Sequence, residues 1–323
     1  MKKATAIIMT AALTVGSCMM GTGMNVYAAD DLNFVIIPKC VHEWFDAVNQ
    51  GAQSQADTLS EQLGKNVNVD YRAPSTADVT EQNTILEQAA ATKPDGIAID
   101  PVDYEGSKSV IEEVQAMGIP VMLFDAVVED SGLSSVGNDF KQQAEMEAEK
   151  LVELLDGKGK VAVMHGVTTS ATHIERYEGH MEVLEKYPDI EVIDGGASSD
   201  DVQTAQQQAA AVIAANPDLD GYLCVDGAAP IGISAAIEEA GKAGEITFVG
   251  AENLAQILQY IKDGTMVCSY STMPQMQGSM ATLMLWEMSC GQDIPNFVDT
   301  GILYIDQNNV DEWIEIVGDG SAE

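Results

Sequence analysis

Short apolar runs that alternate with helical patterns dominate the sequence from Leu32 onward. The first run, Phe34–Ile37, stops at Pro38, and apolar residues then recur at helical spacing from Val48 to Leu63. Comparable runs and helical patterns follow along the rest of the chain. Strands that alternate with helices form βαβ units, in which helices cover the faces of a parallel sheet. The sequence therefore predicts an α/β fold with doubly wound parallel sheets.

The alternating series begins again in the middle of the chain. A first series ends at Asp125, and a second series after Asn138 repeats its architecture without obviously repeating its sequence. The economical interpretation is two similar α/β lobes of roughly a hundred residues each. We expect a three-strand hinge between them, with crossovers near Ser135–Asp139, Ser271–Pro274 and Thr300–Tyr304.

The crossovers divide the sequence between the two lobes and leave an export signal in front of them. We assign residues 32–137 and 274–300 to the N-terminal lobe, and residues 138–271 and 301–317 to the C-terminal lobe. Residues 1–28 form the predicted signal peptide and are excluded from the fold.

Two endings of this signal peptide remain open. Its apolar stretch, Ala4–Val15, follows two lysines and is too short to span a bilayer comfortably. Val26–Ala28 is a small-residue cleavage site, whereas Val15–Cys18 resembles a lipobox whose cysteine would be lipidated. We expect a soluble, exported protein of the periplasm or cell envelope after cleavage at Ala28. A lipoprotein anchored through Cys18 is the alternative.

Charge and cysteine content exclude several classes of partner and cofactor. The 323 residues carry 15 Lys and Arg against 51 Asp and Glu, a formal net charge of −36. A surface of this sign repels nucleic acid and anionic lipid, so we expect neither as a partner. We predict free thiols, no metal and no cofactor, because no metal-ligand spacing occurs among the cysteines that remain after cleavage. These cysteines are Cys40, Cys224, Cys268 and Cys290.

Acidic residues and an aromatic pair lie where strands are predicted to end. Asp125 and Asp226 each follow an apolar strand directly, and Trp44 and Phe45 lie where the first loop enters the first helix. In open α/β sheets, ligands bind at the carboxyl ends of strands. Carboxylates suit the hydroxyl groups of a sugar, and rings suit its C–H faces. Turn or cap roles for the acids, and core packing of Trp44 beside Val48, remain the alternatives.

The order and spacing of these segments resemble the ribose-binding branch of the periplasmic-type sugar-binding proteins, from Leu32 to about Tyr304. Members of this branch are substrate receptors of ATP-driven importers. Leu123-Phe124-Asp125 matches the strand that carries a sugar-hydroxyl aspartate, and Glu175-Arg176-Tyr177-Glu178-Gly179 matches the segment with a ligand-binding arginine. The resemblance implies that the following residues bind the ligand: Lys39, His42, Trp44, Phe45, Asp125, Arg176, Asp226, Glu252 and Thr272.

Three positions depart from the pattern of the pentose binders. Ala126 stands where many relatives carry Arg, Asp226 where they often carry Asn, and Glu252 where they often carry Asp. Ile37-Pro38-Lys39 also resembles the autoinducer-binding members. The first two changes make the site more negative, and a buried carboxylate needs matching donors. We therefore expect a neutral or cationic polyhydroxy ligand rather than a sugar phosphate or sugar acid.

Other roles for individual residues stay open. Glu252 is also suitably placed for a charge at a helix N-terminus, and Arg176 for a surface position in mid-helix. Asp100 and Asp103 are expected to be loop caps. His42, His165 and His173 form no close metal-binding pattern, so polar loop positions are expected for them.

The resemblance implies an extracytoplasmic substrate-binding protein, a monomer that captures a sugar or polyol between two lobes. Its partner would be the membrane permease of an ABC importer. A ligand sensor that presents its closed form to a membrane receptor is the first alternative, and an exported glycoside hydrolase is the second. The sequence shows no Ser-His-Asp pattern, no Gly-rich phosphate loop and no metal motif, so we predict that the protein is not an enzyme.

Overall fold

The computed structural model describes residues 31–128 and 130–317, which form alternating strands and helices. The first part contains β1 (Leu32–Ile37), α1 (Glu43–Leu63), β2 (Val67–Tyr71), α2 (Val79–Ala91), β3 (Gly96–Ile99), α3 (Tyr104–Ala116), β4 (Val121–Phe124) and β5 (Ser135–Gly137). The second part contains α4 (Phe140–Leu154), β6 (Gly159–His165), α5 (Ala171–Leu184), β7 (Ile190–Ala197), α6 (Val202–Ala215), β8 (Gly221–Cys224), α7 (Ala229–Glu239), β9 (Thr247–Ala251), α8 (Ala255–Asp263) and β10 (Cys268–Ser271). The last part contains α9 (Pro274–Ser289), β11 (Phe297–Asp299), β12 (Leu303–Asp306) and α10 (Val310–Val317).

The strands form two sheets of six strands each. Their orders are β11-β5-β4-β3-β1-β2 and β12-β10-β9-β8-β6-β7. The strand pairs in both sheets are parallel except for the antiparallel pair of β10 with the edge strand β12. In each sheet the order reverses beside the first strand of its series, β1 or β6, which is the topological switch point where α/β sheets bind ligands. The predicted fold of two doubly wound lobes is confirmed.

The chain passes from one sheet to the other after β5, after β10 and after β11. The buried side chain of Asn138 joins these passages through hydrogen bonds, of which the two shortest lead to Gly301 and Gln277. Its Nδ2 donates to the carbonyl oxygen of Gly301 at 2.6 Å, and its Oδ1 accepts from Gln277 Nε2 at 2.9 Å. The crossovers lie in the three segments where we expected the hinge. The predicted signal peptide, residues 1–28, lies outside the described residues.

Helix α1 packs very closely against α9, and this contact positions the residues at the start of α1. The side chain of His42 caps the helix by accepting the backbone N–H of Trp44 at 3.1 Å, and Gly64 ends it with φ +65°. A Cβ atom on Gly278 would lie 1.9 Å from the carbonyl oxygen of Val48. The glycine is therefore required for the two helix backbones to approach, as in other close helix contacts.

A buried hydrogen bond between a histidine and a glutamate joins α4 and α5 in the second lobe. His180 Nε2 lies 2.8 Å from Glu147 Oε2, and neither side chain is exposed. An exposed pair, Lys141 with Glu182 at 2.6 Å, joins the same two helices at their surface. The two pairs therefore differ in burial while sharing the elements that they connect.

We predict that His180→Ala lowers the free energy of unfolding by about 1–3 kcal/mol, because it leaves Glu147 Oε2 buried without its hydrogen-bond partner. Lys141→Ala should cost much less, since water solvates the remaining carboxylate. Urea denaturation of both variants measures the two values. A loss for His180→Ala that is no larger than that for Lys141→Ala would contradict the prediction.

Candidate functional site

A small cavity of about 20 Å³ lies where strand ends of the two sheets converge. Residues after β1 and β4 contribute from the first lobe, and residues from α5 and after β7, β8 and β9 contribute from the second. Its lining consists of Lys39, His42, Trp44, Phe45, Asp125, His173, Arg176, Asp200, Gly227 and Glu252. A volume near that of one water-sized probe means that these side chains fill the space between the lobes.

Seven of the nine predicted binding residues line this cavity, and Asp226 and Thr272 lie directly behind its walls. Asp226 Oδ1 accepts the backbone N–H groups of Ala228 and Ala229 at 3.0 and 2.8 Å, and its Oδ2 accepts from the hydroxyl of Ser198. Thr272 donates its hydroxyl to Glu252 Oε2. The structure thus gives these two residues supporting contacts rather than a place on the cavity wall.

Sequence reasoning missed three lining residues: His173, Asp200 and Gly227. Asp200 follows β7, so a search for acids after every strand would have found it. Gly227 follows Asp226 immediately, and a Cβ atom at this position would lie 3.5 Å from the ring of His42. His173 lies in the first turn of α5, and nothing in the local sequence distinguishes it.

Lys39 connects the two lobes from the loop after β1. Its Nζ lies 3.3 Å from Asp100 Oδ2, from Asp125 Oδ2 and from the Thr172 hydroxyl, which belongs to α5 of the other lobe. Burial opposes the positive charge of Lys39, but the carboxylates of Asp100, Asp125 and Asp200 outweigh it and raise its pKa. The ammonium group is therefore held in its charged form at the centre of the site.

Two further acids after β3 were expected to be loop caps. Asp103 caps α3, because its Oδ1 accepts the backbone N–H of Gly106 at 3.2 Å. Asp100 instead lies buried against Lys39 and caps no helix. Burial is the main reason why the pKa of Asp100 is raised well above the usual range. Its role is thus electrostatic, a correction to the expected cap.

Arg176 and Glu252 form the second ion pair of the site. Arg176 Nη2 lies 3.0 Å from Glu252 Oε1, and its guanidinium stacks over the Phe140 ring at 4.7 Å. Gln143 Oε1 accepts from Arg176 Nε and Nη2 at 3.2 and 3.0 Å and so orients the group. Burial raises the pKa of Glu252, while Arg176 lowers it. Arg176 is therefore a buried site residue and not a surface residue of α5.

The indole of Trp44 reaches across to the second lobe. Its Nε1 donates to Glu252 Oε2 at 2.8 Å and to the Thr272 hydroxyl at 3.1 Å. Its ring meets the ring of Phe45 edge to face, with centroids 5.0 Å apart, and Phe45 meets Phe124 in the same way at 6.3 Å. Trp44 thus packs into the core and also lines the cavity, so the two roles weighed for it are not exclusive.

The three carboxylates on the cavity wall share an unusual backbone conformation. The φ angles of Asp125, Asp200 and Glu252 are +49°, +60° and +71°. The left-handed region costs an L-residue roughly 1–2 kcal/mol, and Asp tolerates it better than Glu. Such strain is characteristic of functional sites, where surrounding contacts hold the residue in place. Here it directs three acidic side chains from strand ends into one cavity.

A larger cavity of about 570 Å³ lies elsewhere, between α1, α9 and α10. Its lining residues are apolar or uncharged, and they include Met273, Trp313 and Ile316. The amide side chains of Gln50, Asn253 and Gln275 also line it, but no charged group does. Ionised groups make the stronger hydrogen bonds to a polyol, so the smaller cavity, with its acids, cations and rings, is the candidate site.

Residues 31–128 and 130–317 contain neither a cluster of metal ligands nor a membrane-spanning helix. No group of three or more His, Cys, Asp or Glu side chains there is arranged to hold a metal ion. No helix in the same residues is long and apolar enough to cross a membrane. The four cysteines of this part of the chain are free thiols, as predicted, and Cys290 is the exposed one among them.

The fold and the cavity define a two-lobed α/β protein with a charged cavity between its lobes. The chain belongs to the family described as periplasmic binding protein domain, whose model matches residues 33–293. The family consists of binding proteins rather than enzymes, which confirms the prediction that the protein is not an enzyme. The predicted resemblance to the sugar-binding proteins of the ribose-binding branch is confirmed by this match and by the relatives.

Three similar proteins illustrate the relationship. The D-apiose import binding protein of Actinobacillus succinogenes is 25% identical over 240 residues, which cover 74% of this chain and 74% of that protein. A solute binding protein of an ABC transporter from Burkholderia graminis, solved in complex with D-arabinose, is 26% identical, with a TM-score of 0.81 over 87% of this chain and 97% of that one. A sugar-binding protein of a sugar ABC transporter from Bacillus halodurans is 28% identical, with a TM-score of 0.75 over 88% and 100%.

Asp226 offers a test of the electrostatics behind the cavity wall. Burial, above all, and the charge of Asp200 together raise the pKa of Asp226 to about 7, although the hydrogen bond from the Ser198 hydroxyl acts in the opposite direction. In the unfolded chain an aspartate has a pKa of about 3.9. Between about pH 4 and pH 7 the folded protein keeps a proton on Asp226 that the unfolded chain has lost. The free energy of unfolding therefore falls as pH rises through this range, and the contribution of Asp226 is constant above it.

We predict that the stability of wild type relative to Asp226→Asn falls by roughly 2–3 kcal/mol between about pH 5 and pH 8. Asn keeps the size of the side chain and does not titrate, so the difference between the two proteins isolates this group. Denaturation curves at a series of pH values measure it. A difference that stays constant, or that grows with pH, would show that Asp226 is not protonated in the folded protein.

Proposed function

We propose that the protein captures a sugar or sugar-like polyol in the charged cavity and delivers it to the permease of an ABC importer. The observation that carries this proposal is the convergence of carboxylates, cations and aromatic rings from both lobes on one cavity. Asp125 Oδ1 is buried and has no hydrogen-bond partner in the described residues, so it is available to accept a ligand hydroxyl. A buried acceptor without a donor is costly, and a sugar hydroxyl supplies that donor.

Ligand capture on this proposal requires the lobes to open and close. A cavity of about 20 Å³ has no room for a monosaccharide, so a sugar must separate the groups that now contact each other. Bonds from Trp44 to Glu252 and from Lys39 to Thr172 join the lobes directly. A ligand that replaces these bonds with its own contacts to both lobes favours the closed state through its differential affinity. The importer then recognises that closed state.

The names of the relatives support a sugar as the ligand. They include proteins described as binding or importing D-apiose, D-ribose, D-allose and xylitol. The name of the D-apiose import binding protein supports delivery to a permease, and a sensor that presents the closed form to a membrane receptor remains the second candidate. Binding assays with the two membrane partners distinguish transport from sensing.

We also propose export, with cleavage after Ala28 and a soluble, monomeric product that binds no nucleic acid. The acidic composition supports solubility and the absence of nucleic-acid binding. Mass spectrometry of the mature protein tests the cleavage. An N-terminus at Ala29 supports the proposal, and a lipidated Cys18 overturns it.

Two substitutions test the site. Asp125→Asn should weaken sugar binding by more than about ten-fold, because the amide cannot accept from ligand hydroxyls as a carboxylate does. Trp44→Leu should weaken binding through loss of the ring face. Asp156→Asn is the matched control, since Asp156 also has a left-handed backbone, with φ +52°, but is exposed and outside the cavity.

Isothermal titration calorimetry against a panel that includes D-ribose, D-allose, D-arabinose and xylitol measures these effects. The cognate ligand is first identified by thermal shift, since a tight ligand raises apparent stability. If Asp125→Asn and Trp44→Leu both bind that ligand as well as Asp156→Asn does, the ligand does not occupy this cavity.

A further inference from the structure

Asp200 is the carboxylate on the cavity wall that lacks a cationic partner. The wall carries three carboxylates, from Asp125, Asp200 and Glu252, against two cations, Lys39 and Arg176. Asp100 adds a further acid behind Lys39. The cavity therefore contains more acidic than basic side chains, although burial makes unmatched charge expensive.

Both cations are already engaged by other acids. Lys39 contacts Asp100 and Asp125 at 3.3 Å each, and Arg176 contacts Glu252 at 3.0 Å. Among the ion pairs of residues 31–128 and 130–317, Asp200 has only His173, with Nε2 and Oδ2 separated by 3.9 Å. The Asp200 side chain is 6% exposed, so water does little to solvate it.

His173 supplies a dipole rather than a charge to Asp200. Its Nδ1 accepts the backbone N–H of Val167 at 2.8 Å, which places the ring proton on Nε2, the atom that faces Asp200. Burial, above all, and the charge of Lys39 together lower the pKa of His173 to about 3. Burial raises the pKa of Asp200, but the ring of His173 and the charges of Lys39 and Arg176 outweigh it and lower that pKa. At neutral pH an ionised Asp200 thus faces a neutral imidazole.

We propose that the physiological ligand is an amino sugar or amino polyol whose protonated amine pairs with Asp200. The hydroxyl groups of the same ligand bind Asp125 Oδ1 and the remaining polar wall. An ammonium group offers three donors and a positive charge, which together satisfy Asp200 and balance the acids of the cavity. A sugar acid or phosphate brings another negative charge and is rejected. This inference rests on the proposed function, because it concerns the ligand of the same cavity.

Calorimetry on matched sets of sugars tests the inference. Each set contains a neutral sugar, its amino derivative and its acid: D-glucose with D-glucosamine and D-glucuronate, D-galactose with D-galactosamine and D-galacturonate. A third comparison uses sorbitol with glucamine. In at least one set the amine should bind about ten-fold or more tightly than its neutral counterpart, as expected for a buried charge pair.

The variant Asp200→Asn should abolish that preference, so that the amine binds no more tightly than its neutral counterpart. Asn tolerates the left-handed backbone at this position, so the loop keeps its conformation. Asp156→Asn, again an exposed aspartate with positive φ, should retain the preference.

Three results overturn the inference. Tighter binding of the neutral sugar or the acid in every set refutes an amine-bearing ligand while leaving sugar binding intact. An amine preference that persists in Asp200→Asn refutes the role of Asp200. If none of these compounds and none of the neutral sugars in the earlier panel binds, the proposed function fails and the inference fails with it.

Discussion

The hydrogen bond from the Trp44 indole to Glu252 is the contact on which the architecture of the site depends. It joins the first helix of one lobe to the strand end of the other, at 2.8 Å and away from solvent. Glu252 in turn binds Arg176 and the Thr272 hydroxyl at a crossover between the lobes. Three side chains therefore share one buried carboxylate, and separation of the lobes would break its bond to Trp44, which belongs to the other lobe.

The fold could be predicted because its signals are local and repeated. Buried strands such as Gly96–Ile99 and Val121–Phe124 read as short apolar runs, and helices with one apolar face follow them. The doubled series predicted two lobes, and the return segments predicted the crossovers. Neither the closeness of α1 to α9 nor the role of Gly278 in it has a signal in the sequence, since both depend on the distance between two helices far apart in the chain.

The candidate site was predictable where an acid follows a buried strand. Asp125 follows β4, whose four residues are all buried, so the strand end was easy to locate. Asp200 follows β7, an edge strand of mixed exposure, with two serines between, so its position was obscured. His173 was missed because its role comes from a turn that brings Val167 to its ring. Thr272 was identified by resemblance alone, and the structure gives the physical reason for it, a hydrogen bond to Glu252.

The central claim is that the ligand binds between the lobes and displaces the contacts of Trp44. The sequence provides internal controls, because it has three tryptophans and Trp313 lines the larger, uncharged cavity. Nuclear magnetic resonance of protein labelled with ¹⁵N at its indole nitrogens, titrated with the tightest sugar of the panel, is the most direct measurement. The account predicts that the Trp44 indole signal moves to a new position at saturation, with Trp286 and Trp313 changing little. An unchanged Trp44 signal, with a shift at Trp313, would place the ligand in the other cavity and contradict the account.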